Sequence, residues 1–142
     1  MAFRDSAYHI VLDSADLYVE VAGEEEGTPI LYLHGGPGYN SFSFRDLLGD
    51  SLEQYLMIYA DQRGGGRSYA DGPFAFDVLA EDVREILRNL KLDRVVLLAH
   101  GFGAAVAVKA AATWRELFER LILVGPWLSV PVLARTVHRT AA

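Results

Sequence analysis

Four stretches of this chain, residues 30–33, 56–60, 95–99 and 121–124, are apolar at consecutive positions and not at alternate ones. A strand buries every residue only when both faces of its sheet are covered, the situation of parallel strands flanked by helices. The segments between them fit that scheme. FDVLAEDVREILRNL (76–90) places Leu79, Val83, Ile86, Leu87 and Leu90 on one helical face, and Glu81, Arg84, Glu85 and Arg88 largely on the other. Asp77 is positioned to cap it. GAAVAVKAAATWRELF (103–118) reads as a second helix, with small residues that permit close packing, and SFRDLLGDSLEQ (43–54) as a short, weak one. Ahead of these, AYHIVLDSADLYVEVAG (7–23) shows two alternating runs broken at Asp13-Ser14, the pattern of a hairpin. The expectation is an α/β layered fold with a mostly parallel sheet, an N-terminal antiparallel hairpin and flanking helices.

Three of the apolar runs end in glycine-rich loops: HGGPG (34–38), DQRGGGRS (61–68) and AHGFGA (99–104). In open α/β sheets ligands bind beyond the carboxyl ends of the strands, and glycines there let backbone amides approach a ligand closely. With 142 residues, 51% apolar and 23% charged, the chain suits one compact domain and not a disordered segment. The net charge is −6, and the Glu24-Glu25-Glu26 run reads as a solvated turn, so no phosphate-tracking surface and no nucleic-acid partner are expected. Without cysteine there is neither a disulfide nor a thiolate metal site. The N-terminal MAFRDSAYHI lacks the apolar core of a signal peptide and no run of 18 apolar residues occurs. A soluble, cytoplasmic protein that does not engage membranes is the expectation. Gly101-Phe102-Gly103 resembles the front of a dinucleotide-binding loop, but Val106 stands at the third glycine position, the next strand lacks the acidic end, and no GK[ST] follows.

The three loops, in this order and spacing, resemble the α/β-hydrolase superfamily and, within it, the proline iminopeptidases, whose signatures are HGGPG, DQRGxGxS and GxSxGG. The likeness runs from about residue 8 to Trp127 and covers about the first half of a family member. It places the strained nucleophile elbow at residues 99–103, with Gly101 where the family has its serine. Gly101 is therefore a vacant nucleophile position, and Ala99 replaces the first elbow glycine. The resemblance implies an oxyanion hole from the amides of Phe102 and Gly36. His34, Gly35, Pro37, Asp61, Arg63 and His100 line the pocket loops, His34, Asp61 and Arg63 chiefly as bracing groups. Ser41 and Ser68 lie on other loops and lack the elbow's geometry. No metal and no cofactor is implied.

In the superfamily the acid and the histidine follow later strands, beyond a mostly helical cap. His138 comes too early to be that histidine, so residues 1–127 read as the hydrolase core with about six strands, and 128–142 as the start of the cap or a partner-binding tail. The strand at 121–124 would then present an apolar edge, which natural proteins cover or pair. The expectation is that a second polypeptide or a second copy completes the sheet and cap. The function implied is that of the N-terminal portion of a peptide- or ester-hydrolysing enzyme, with a small peptide or ester-like ligand. The alternative is a catalytically inactive relative that binds a ligand or a protein.

Overall fold

The structure, a computed structural model, describes residues 5–129 together with residues 131, 132, 135, 138 and 139. The hairpin forms as expected: β1 (Ser6–Leu12) and β2 (Ala15–Gly23) pair antiparallel around Asp13-Ser14. There follow β3 (Pro29–Leu33), α1 (Phe42–Leu48), β4 (Leu56–Ala60), the two-residue β5 (Tyr69–Ala70), α2 (Phe76–Asn89), β6 (Val95–His100), α3 (Phe102–Thr113) and β7 (Phe118–Val124). The sheet order is β1-β2-β4-β3-β6-β7, with β5 against β2. Strands β4, β3, β6 and β7 run parallel, and β2 joins β4 antiparallel.

The order of the strands decides where the helices lie. The chain steps outward from β3 to β4, then crosses β3 to reach β6 and continues to β7. Right-handed crossovers in opposite directions put their helices on opposite faces. The strands therefore bury both faces with a period of two. Leu31, Leu33, Leu56, Ile58, Val95, Leu97 and Ala99 belong to the core beneath α2 and α3. Ile30, Tyr32, Met57, Tyr59 and Val96 form a second, smaller cluster, where Phe44 of α1 stacks on Tyr32 with ring centroids 4.0 Å apart. All five residues of the amphipathic stripe in α2 are buried.

Three sequence expectations are corrected. Asp77 does not cap α2: the helix starts at Phe76 behind Ala75, and the Asp77 carboxylate pairs instead with Lys109, 2.7 Å away on α3. The helix at 103–118 ends at Thr113, because a 3-10 turn at Arg115–Leu117 is needed to bring Phe118 into register with Val95 as β7 begins. The run 121–124 is not covered on both faces. Leu121 and Leu123 pack on the main core, but Ile122 and Val124 are 46% and 51% exposed, because the cluster on the α1 face extends only as far as Val96 and Leu98 of β6. The described tail residues 131, 132, 135, 138 and 139 are helical and exposed; the rest of the tail lies outside the described residues.

The tightest contact of the sheet with a helix is at Gly103. A Cβ there would fall 2.5 Å from the carbonyl oxygen of Leu33 and 2.6 Å from that of His34, both backbone atoms of the strand end. Gly103→Ala is expected to destabilise the fold by about 1–3 kcal/mol or more, since α3 must move off β3. Urea denaturation measures this, and an unchanged midpoint would contradict so close an approach.

Candidate active site

The strand order reverses between β3 and β6, and the crevice beyond their carboxyl ends is the expected ligand position in such a sheet. The three glycine-rich loops meet there. A Cβ on Gly101 would lie 3.6 Å from the Gly35 Cα, and one on Gly35 would lie 2.9 Å from His100 Nδ1, which joins the first loop to the third. The first and second loops are joined at His34. The Gln62 N–H donates to His34 Nε2 at 2.9 Å, and Gln62 Nε2 donates to the His34 carbonyl at 2.7 Å. His34 Nδ1 lies 2.6 Å from the Gly35 carbonyl. Only the neutral ring with its proton on Nδ1 satisfies both contacts. Burial pushes the His34 pKa below its usual value, against the opposing pull of the Gly35 carbonyl and the Asp61 charge. His34 is thus a buried brace with both nitrogens occupied.

The second loop is held by two buried ionic networks. The Asp61 carboxylate accepts from the Ser41 amide and hydroxyl, each at 2.7 Å, and from Arg67 N and Nε at 2.9 and 2.8 Å. Burial alone would raise its pKa, but these donors together hold it below the ordinary carboxylate range. Gly66 is obligatory because a Cβ there would collide with that carboxylate. Arg63 is locked by a bidentate contact with Asp82 of α2, at 2.7 and 2.8 Å, and its Nη1 donates to Ser14 Oγ at 2.9 Å. Its guanidinium points at Asp82, a partner that the sequence reading missed. The signal was present: Asp82 falls on the apolar stripe of α2, between Leu79 and Ile86, where an acid needs a partner. Ser41 and Ser68 are buried with their hydroxyls engaged, Ser68 Oγ donating to the Asp61 carbonyl at 2.6 Å.

Gly101 stands at the apex with φ +55° and ψ −118°, a backbone that side-chain-bearing residues rarely adopt. Its N–H donates to the Val124 carbonyl and its carbonyl accepts from the Trp127 N–H, both at 3.0 Å. A Cβ on Gly101 would meet nothing closer than the 3.6 Å contact with Gly35, and its next neighbour is Trp127 Nε1 at 3.8 Å. The space for a side chain is open. Phe102 opens α3, so its amide has no intrahelical acceptor, and Gly36, at φ +130°, turns the first loop, whose Pro37 and Gly38 border the same cleft as Phe102. Next to Phe102 lies a cleft of about 440 Å³, bordered by His34, Pro37, Gly38, Gln62, Arg63, Gly64, Phe74, Leu79 and Phe102. A larger hollow of about 730 Å³ is bordered by α1, the turn after it and β4, and none of the three loop tips reaches it. His100 is exposed beside Gly35.

The alpha/beta hydrolase fold family matches residues 28–141. The chain belongs to that family. It is similar to a proline iminopeptidase of Heyndrickxia coagulans, 32% identical over 75% of this chain and 38% of that protein. It is also similar to epoxide hydrolase 1 of Caenorhabditis elegans, 30% identical over 83% of this chain and 30% of that protein. Among solved structures, a proline iminopeptidase-related protein of Thermus thermophilus superposes with a TM-score of 0.85 and 40% identity, over 92% of this chain and 48% of the other. The chain is a proline iminopeptidase-like alpha/beta hydrolase, and it spans less than half the length of these relatives. Among the described residues no helix is long and apolar enough to cross a membrane.

The two depressed pKa values fix how the site responds to acid. Each folded-state value lies below its unfolded one, so each group stabilises the fold at high pH and that stabilisation is lost on acidification. For His34 the loss begins as pH falls through 6.5, and for Asp61 as it falls through 3.8. The urea midpoint of the wild type should therefore decline in two stages between pH 8 and 3. His34→Gln should lack the first stage and Asp61→Asn the second. A profile identical in all three proteins would contradict these assignments.

Proposed function

We propose that this chain supplies the cleft and the oxyanion-binding loops of a hydrolase of peptide or ester bonds, of the proline iminopeptidase type, with its nucleophile position vacant. The backbone of Gly101 supports this reading: its φ of +55° and ψ of −118° fit an elbow apex, and it leaves room for a Cβ beside Gly35 of the first loop. A carbonyl placed over the apex would find the amides of Phe102 and Gly36 as donors for its developing negative charge. Attack on that carbonyl would need a group that Gly101 does not carry, and Ser41 and Ser68 are occupied in the Asp61 network. In this reading the acid and the histidine come from a second segment, and residues 128–142 begin the cap or the surface that binds it. The open edge of β7, with Ile122 and Val124 exposed, supports a strand being added there by a second polypeptide or a second copy.

A second reading is favoured by the same glycine. The cleft binds a peptide- or ester-like ligand, or a protein, without turnover. Assays with L-prolyl-p-nitroanilide and short p-nitrophenyl esters separate the two. The chain by itself is expected to show no turnover above buffer, and Gly101→Ser is expected to gain it once the completing segment is present. Turnover by the wild-type assembly that is lost on blocking the cleft would overturn the binding-only reading. Turnover by the chain alone would overturn the need for a second segment.

The edge is tested separately. Light scattering of the purified protein should give a mass above that of one chain, and the paired substitutions Ile122→Lys and Val124→Lys should return it to a monomer. A wild-type monomer that stays soluble would rule the docking edge out.

A further inference from the structure

We propose that the cleft beside the apex is a subsite for an uncharged aromatic ring. The inference rests on the hydrolase reading above only for what the ring is attached to, a carbonyl compound at the apex; the recognition of the ring itself is argued from the cleft.

The charged and imidazole groups of the cleft are already committed, and the one open polar atom, Gln62 Oε1, is an uncharged acceptor with no partner. Arg63, its one charged residue, has a side chain 3% exposed and a guanidinium spent on Asp82 and Ser14. His34 is neutral with both nitrogens bonded, and the amide nitrogen of Gln62 is bonded to the His34 carbonyl. The cleft therefore offers a ligand no side-chain charge, and burying a charged group against it would be penalised.

What the cleft does offer is aromatic surface. Phe74 is 57% exposed and presents its ring to the cleft, with one edge against Gly64, where a Cβ would lie 2.6 Å from Cε1. Gly64 itself sits at φ +71°, so both the bare backbone and its conformation favour glycine there. Across the opening, Phe102 packs against Phe76 with centroids 5.5 Å apart and the planes tilted by 35°. Pro37 and Leu79 complete the apolar wall. At about 440 Å³ the cleft lies within the range of small-molecule sites. Ring faces set in place favour a planar aromatic partner over a puckered aliphatic ring of similar size.

The test begins with the wild-type chain and fluorine NMR of three neutral probes: 4-fluorophenylacetamide, fluoroacetamide and N-acetyl-3-fluoropyrrolidine. The aryl probe should bind roughly tenfold more tightly than the other two, and Phe74→Ala should remove that preference. Gly64→Ala, which displaces the Phe74 ring from its seat, should weaken the aryl probe as well. Equal binding of the aryl and pyrrolidine probes, or an undiminished aryl preference in Phe74→Ala, would overturn the subsite. The hydrolase reading is checked independently with Gly101→Cys. If the apex opens into the cleft at the start of α3, the introduced thiol should react with iodoacetamide faster than a free thiol does, because a helix N-terminus favours the thiolate. N-benzyl iodoacetamide should then gain a further advantage that Phe74→Ala abolishes. A Gly101→Cys variant whose thiol stays unreactive while the aryl probe still binds would sink the apex reading and leave the subsite standing.

Discussion

The site is organised around one buried histidine. His34 ends β3, and its ring and its carbonyl both bond to Gln62, the second residue beyond β4. Adjacent parallel strands deliver their carboxyl ends to the same side of the sheet, but nothing in strand pairing fixes how the loops continue. The two bonds from Gln62 do so, and they tie the first loop to the second before either reaches solvent. The third loop is set by contact and not by bonding: Gly103 brings α3 against the carbonyls of Leu33 and His34. With His34 directly beyond the end of β3, both the second loop and the start of α3 are positioned against this residue.

The charges around it follow a consistent logic. Asp61, Arg63, Arg67 and Asp82 all lie near the cleft, and their main ionic contacts run along the loop or toward α2 and not into the opening. Buried pairs of this kind add little net stability against apolar packing, but removing one partner strands the other. Their effect here is to fix the loop's shape. A consequence is that the cleft keeps a rigid rim of glycine backbone and aromatic rings, with free amides at Phe102 and no free side-chain charge.

Much of this was legible from residues alone. Consecutive apolar runs gave the parallel strands because both sheet faces are covered, and the stripe of α2 is buried residue for residue. The glycine-rich loops marked the cleft because close backbone approach requires glycine in any fold. Other features were not legible, for physical reasons. Asp77 has the chemistry of a cap, but Lys109 from another helix claims it, and tertiary partners are not written in local sequence. The exposure of Ile122 and Val124 depends on how far the cluster on the α1 face extends across the sheet, which is a matter of tertiary placement. Trp127, whose indole nitrogen faces the apex, lies beyond the last strand, and only the turn at Gly125, at φ +51°, brings it back.

The apex shows how a strained loop conformation can be held from outside the residue that adopts it. A residue with a side chain in this backbone conformation would carry strain of about 1–3 kcal/mol, whereas glycine is free of that strain and could relax to an ordinary turn. It does not. The Gly101 amide is held by the Val124 carbonyl, and its own carbonyl receives the Trp127 and Ala104 amides. The conformation is therefore imposed by the end of β7 and the first turn of α3, not by residue 101. A residue without a side chain avoids the strain and leaves the frame in place. The amide of Phe102 keeps its direction because the helix start is fixed by the same bonds. A Cβ at residue 101 would enter that frame with room around it, its nearest contact being Gly35 Cα at 3.6 Å.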